Sequence, residues 1–230
     1  MNRMRDQGGF TLMEMVFVLA VVGILASIFL PLAIDLLDDA RLTQADVDVA
    51  ELATALSQFL RDMRHYPTCN TADCDPINGT GPGDNNNLKF LRVGESSGVP
   101  ASVTSPDPTD ATGAWNFALN QEPTPARNNT FNHLVVNNPN ADGIIAGINT
   151  DYSSTGTVIW RGAYVARLHA DPWGNNYIIS VGAMEASGSP IVPNAKGWIL
   201  SAGPNGVLET APTDLTLGGD DRGILFFTAR

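Results

Sequence analysis

Apolar and polar positions divide the chain into stretches of different character. From Phe10 to Ile34 the residues are apolar almost without interruption, and Glu14 is the only ionisable side chain among them. That run exceeds the ~20 apolar residues a membrane-spanning helix needs. From Leu42 onward the apolar positions thin to Leu42, Ala45, Val49, Leu52, Leu56, Phe59 and Met63. Steps that alternate between three and four trace one stripe of an amphipathic helix. Arg41, Gln44, Asp48, Glu51, Ser57, Arg61 and Asp62 fall on its polar side. The stripe predicts one helix that continues past the apolar run and ends near Arg64 and His65, because Pro67 drives Tyr66 out of the helical region. Pro31 lacks an N–H and is expected to kink or loosen the helix where it stands.

Beyond the helix, residues 67–157 are rich in Asn, Pro, Gly, Thr and Asp, and they read as a long irregular insertion. Loops of that length are usually functional or mobile. Trp115–Leu119 and Thr130–Val136 are candidates for short elements within it. In residues 158–230, three strand-like runs, Tyr177–Ala183, Gly197–Ala202 and Gly223–Thr228, are punctuated by Gly188-Ser189-Pro190 and by the Gly203–Asp221 loop. An antiparallel meander of three strands is the economical reading. The expected fold class is therefore α+β, with residues 35–66 as the helical continuation whose stripe the sheet covers.

The formal net charge is −11, and loss of residues 1–9, where Arg3 and Arg5 outweigh Asp6, takes it to −12. An acidic exterior argues against nonspecific nucleic-acid binding, which neutralises phosphates with basic side chains. His65, His133 and His169 are isolated, and no Ser/His/Asp or Cys/His set or phosphate loop points to an enzyme. Cys69 and Cys74 are too few for a structural zinc site. They fit a small disulfide loop in an oxidising compartment, with two free thiols as the alternative. Asn138-Pro139-Asn140-Ala141-Asp142-Gly143 is like the start of a calcium-binding loop, but Asn149 stands where its bidentate glutamate belongs.

Glu14 is the anomaly. A carboxylate at membrane depth costs roughly 2.5–3.5 kcal/mol on insertion scales, so a partner is expected. Arg3 and Arg5 precede the apolar run, while Asp35, Asp38 and Asp39 follow it. The positive-inside rule then places the N-terminus in the cytoplasm and the remainder outside. The run is too long for the core of a secretory signal peptide.

Gly9-Phe10-Thr11-Leu12-Met13-Glu14, after a short basic leader (residues 1–9) and opening the apolar helix of residues 10–34, resembles the signal of type IV pilins and pseudopilins. The resemblance implies that a prepilin peptidase cuts between Gly9 and Phe10 and methylates the new amine of Phe10. It implies that Glu14, with Thr11 beside it in the motif, serves assembly, the carboxylate pairing mainly with the Phe10 amine of a neighbouring subunit. The implied fold is type IV pilin-like: a long N-terminal helix, membrane-spanning in its first half, packed on a small antiparallel sheet.

Gly162-Ala163-Tyr164-Val165 leading to Asp171-Pro172-Trp173-Gly174-Asn175-Asn176-Tyr177 is similar to the C-terminal signature of the major pseudopilins of type II secretion, as are His65-Tyr66-Pro67-Thr68 and the loop Ser201–Gly206 with Gly219-Asp220-Asp221. That resemblance implies calcium in the loop, held by side-chain oxygens of Asn205, Asp220 and Asp221 and by carbonyls of Leu200 and Gly203. Asn205 replaces a usual aspartate, and Arg222 a usual apolar residue, which weakens the expectation. The implied function is a single-pass inner-membrane subunit, its globular domain periplasmic, that polymerises with copies of itself and other pseudopilins on an inner-membrane assembly platform to drive protein export. A type IV pilin for adhesion, motility or DNA uptake, and an anchored binding domain that never polymerises, are the alternatives.

Overall fold

The computed structural model describes residues 10–67, 90–94, 101–102, 129–139, 152–181 and 196–228. It has the expected α+β plan of a long helix and a small antiparallel sheet. Helix α1 covers Leu12–Met63, and the chain divides into two units at the boundary between Arg41 and Leu42.

In the first unit every described side chain is exposed, including Phe17, Leu19, Ile24 and Phe29. From Met15 to Ile34 this exposed surface is apolar at every position but Ser27, and a helix of that kind needs lipid or other helices around it. The helix is long and apolar enough to cross a membrane. The helix runs on through Pro31, which has no N–H to offer the Ser27 carbonyl.

In the second unit the stripe of α1 is buried at Ala45, Val49, Leu52, Leu56, Phe59 and Met63, and Leu42 is half-buried. Asp48, expected on the polar side, is buried as well. Its position between Ala45 and Leu52 puts it on the same face, and only a hydrogen-bonding partner makes such burial tolerable. The helix ends on Arg64, whose φ of 62° is the left-handed turn more often given to glycine.

The sheet has four strands rather than three. The expected meander is present as β3 (Tyr177–Ser180), β4 (Lys196–Ser201) and β6 (Arg222–Thr228), all antiparallel. The fourth is β1 (Phe90–Val93), from the segment read as an insertion, which pairs antiparallel with β3 in the order β1-β3-β4-β6. Two short strands, β2 (Ala101–Ser102) and β5 (Val207–Leu208), form a separate parallel pair.

Alternation along the strands divides the core. Leu91, Val93, Tyr177, Ile179 and Ile199 pack with Val49, Leu52 and Leu56 of the helix. Phe90, Ile178, Trp198 and Leu200 pack on the other face with Leu208. Helix α2 (Thr130–Leu134), capped by Asn129 through a 3.0 Å bond from the Phe131 N–H, brings Leu134 to the end of α1. There Phe59, Met63, Tyr152 and Val165 complete a third cluster. The middle of the chain thus supplies a strand and part of the core.

Candidate functional site

Two places carry the residues singled out from the sequence. At the first, Thr11 caps α1 and Glu14 stands three residues on. The Thr11 N–H and hydroxyl each donate to Glu14 Oε2 at 2.9 Å, and the Glu14 N–H donates back to Thr11 Oγ at 3.2 Å. This reciprocal capping box satisfies two amides that a helix N-terminus otherwise leaves open. Glu14 therefore has hydrogen-bonding partners in its own helix, on Thr11. The bonds engage one carboxylate oxygen, Oε2. Phe10 is exposed beside them, and Gly9 lies outside the described residues.

The second place is the loop between β4 and β6. Asp220 Oδ2 accepts from the Asn205 N–H at 3.0 Å, and Asn205 Oδ1 accepts from the Val207 N–H at 2.6 Å. Gly203, at φ 63°, lies against the Asp220 backbone so closely that a Cβ there would collide with its carbonyl. Leu200 pairs with Gly223 in the adjoining sheet. Buried Asp221 accepts at Oδ2 from the N–H groups of Glu209 and Thr210, at 2.9 and 2.6 Å. Burial pushes the Asp221 carboxyl above its ordinary range, and the bonds from Thr210 and Glu209 only partly oppose that shift.

The loop thus brings Gly203, Asn205 and Asp220 together and places Asp221 next to them. Asp220 Oδ1 and Asp221 Oδ1 are both buried without a hydrogen-bond partner among the described residues. Orphaned acceptor oxygens of this kind suit a hard cation, which takes oxygen ligands at bends. No cluster of three or more His, Cys, Asp or Glu side chains is arranged for a metal among the described residues. A cation here would therefore draw on two carboxylates, the second lone pair of Asn205 Oδ1 and backbone carbonyls. Arg222, next in sequence to the acidic pair, also has its Nε buried without a hydrogen-bond partner among the described residues.

Residues that sequence reasoning missed complete the loop. Glu209 Oε2 accepts from the Asp220 N–H at 3.0 Å, and its carboxylate occupies the space a side chain at Gly219 would need. The Gly218 N–H donates to Thr210 Oγ at 2.9 Å. These contacts cross the loop and have no local signature. Cys69, Cys74 and Trp115 lie outside the described residues, as do Asn140, Asp142 and Asn149.

Comparison with known proteins bears on the N-terminal site and on the chain as a whole. Residues 4–30 match the family described as "Prokaryotic N-terminal methylation motif". The chain is 25% identical over 206 residues to "Type II secretion system core protein G" of Escherichia coli strain K12, covering 89% of this chain and 86% of that protein. It is 38% identical over 64 residues to the protein of the same name from Pseudomonas aeruginosa, covering 28% of this chain and less than half of the relative, 45%. It is 32% identical over 75 residues to "Type IV narrow pilus major component PilA5" of Thermus thermophilus, 33% of this chain and 65% of the relative. No solved structure matches the chain.

Proposed function

We infer that the chain belongs to the type IV pilin and pseudopilin family and is a structural subunit of the filament that drives type II protein secretion, and not an enzyme. One observation carries this reading: an N-terminal methylation motif occurs in the same chain as a similarity to a type II secretion core protein that extends over 206 residues. The motif alone would fit any filament of this kind.

On this reading the prepilin peptidase cuts after Gly9 and methylates Phe10. The apolar helix sits in the inner membrane with its N-terminus cytoplasmic, as Arg3 and Arg5 favour. The globular part then faces the periplasm, an oxidising space in which Cys69 and Cys74 close a small disulfide loop. When a subunit joins the filament, Glu14 keeps Oε2 on Thr11 and offers Oε1 to the Phe10 amine of a neighbour. Opposite charges at ~4 Å and an effective dielectric of about 20 attract by roughly 4 kcal/mol, which offsets the burial of both. Copies of this chain, other pseudopilins and the inner-membrane assembly platform are the partners. Calcium, held by Asn205, Asp220 and Asp221 with carbonyls of Leu200 and Gly203, would neutralise the acidic loop and so stiffen it.

The similarity to a pilus component over 75 residues supports a second reading, a type IV pilin for adhesion, motility or DNA uptake. A deletion strain scored for both exoprotein release and twitching separates them. Secretion is expected to fail while twitching persists; lost twitching with normal secretion would replace the first reading by the second.

A further inference from the structure

The Asp171-Pro172-Trp173-Gly174 turn is explained locally by Asp171 Oδ1, which accepts from the Trp173 and Asn175 N–H groups at 3.1 and 2.7 Å. An asparagine would serve such a turn equally well. The second oxygen does something else. Asp171 is buried, 4% exposed, and its Oδ2 accepts from the hydroxyl of Ser201 at 2.6 Å. Ser201 is fully buried at the end of β4, and its Oγ in turn accepts from the Gly203 N–H at 3.2 Å.

The polarity of this relay is fixed. A carboxylate cannot donate, so the serine hydrogen points at Asp171 and its lone pairs face Gly203. Gly203 opens the 203–221 loop: its carbonyl accepts from the Gly206 N–H at 3.2 Å, and its backbone lies against Asp220. A second contact joins the same two segments. A Cβ on Gly206, at φ 69°, would lie 3.3 Å from Asn175 Nδ2, so the side chain of the turn rests on the loop backbone.

We propose that Asp171 is a positioning residue for the 203–221 loop, acting through the Ser201 hydroxyl on the Gly203 amide without touching a cation itself. Its effect on calcium rests on the cation reading above; its effect on loop geometry does not.

Full-length protein in detergent tests both. Asp171→Asn keeps the turn acceptor but puts an N–H₂ where Ser201 needs an oxygen. Ser201→Ala removes the link, and Ser201→Thr keeps the hydroxyl. Without calcium, hydrogen exchange at the Gly203 and Gly206 amides should accelerate about tenfold in Asp171→Asn and Ser201→Ala, the scale of one lost buried hydrogen bond. Ser201→Thr should restore it. Calorimetric titration with calcium should show affinity weakened by a similar factor in the first two variants only. Unchanged exchange overturns the proposal, as does wild-type calcium affinity in Ser201→Ala or a threonine that restores nothing. A wild-type protein that binds no calcium, with exchange still accelerated in the variants, removes the cation reading and supports the positioning role.

Discussion

The phenol of Tyr177, on β3, donates to the carboxylate of Asp48, on α1, at 2.6 Å. Gln44, one turn earlier on the helix, donates to the other Asp48 oxygen at 2.6 Å. His169 Nδ1 stands 3.8 Å from the same carboxylate. Burial, followed by the bond to Asp48, raises the Tyr177 pKa, so the phenol remains a donor at physiological pH. A polar cluster thus joins the second half of the helix to the sheet beside their apolar contact.

Tyr177→Phe should therefore destabilise the protein by about 1–3 kcal/mol, because it leaves a buried carboxylate one donor short. In a chain of this size that lowers the melting temperature by roughly 2–4 °C per kcal/mol. Asp48→Leu, which removes the charge along with its need for a partner, should cost less when combined with Tyr177→Phe than the sum of the two single changes. Strict additivity in that cycle would mean that the two side chains are not coupled.

How far the sequence reveals this fold depends on whether the signal is local. The helix stripe, the meander and the signature turn are legible because period, β-branched runs and Gly/Pro punctuation act over a few residues. Asp48 reads as solvent-facing, since the Tyr177 phenol that makes its burial tolerable is distant in sequence. Strand β1 is four residues amid Asn- and Gly-rich chain, and only pairing with β3 makes Phe90-Leu91-Arg92-Val93 a strand. Glu209 acts across the loop, where no spacing announces it, and Ser201 stands in the signature loop without any local sign of its bond to Asp171. Thr11 and Glu14 are the opposite case: the Thr-x-x-Glu spacing is a capping-box signature, which the membrane-depth charge overshadows.

The capping bonds of Glu14 and its proposed assembly contact yield a separable prediction. Glu14→Gln retains the acceptor that caps the helix but removes the negative charge, whereas Glu14→Ala removes both. Both variants should insert and be processed, and both should fail to polymerise. Filaments formed normally by Glu14→Gln, as judged by crosslinking and electron microscopy, would show that capping rather than charge is what assembly needs.

His65 makes stability pH-dependent at the end of α1. Burial lowers its pKa, against the smaller opposing effect of the Tyr66 carbonyl, and its ring lies 6.1 Å from Phe59 and 5.8 Å from Tyr152. The unfolded chain, with an imidazole pKa of about 6.5, then binds a proton more readily than the folded one. Stability should be intact above about pH 6.5 and fall as the pH drops below it, levelling off beneath the depressed folded pKa. His65→Gln should flatten that slope relative to wild type in melts between about pH 7.5 and pH 5. Parallel slopes in the two proteins would assign the acid sensitivity to other groups.

Asp221 runs the other way. Its carboxyl pKa is raised by burial, so the ionised form weakens the folded state at neutral pH, and that penalty is relieved as the pH falls through the folded pKa. Calcium would relieve the same penalty without acid, by satisfying the orphaned Oδ1 atoms of Asp220 and Asp221. Calcium at about 100 times its dissociation constant should then stabilise wild type by roughly 2.7 kcal/mol, and chelator should reverse the gain. Asp221→Asn, whose carbonyl can still accept from Glu209 and Thr210, should melt close to wild type in chelator but lose most of the calcium response. Identical wild-type melts in calcium and chelator would exclude a stabilising cation, and the loop would then be a turn held by its own hydrogen bonds.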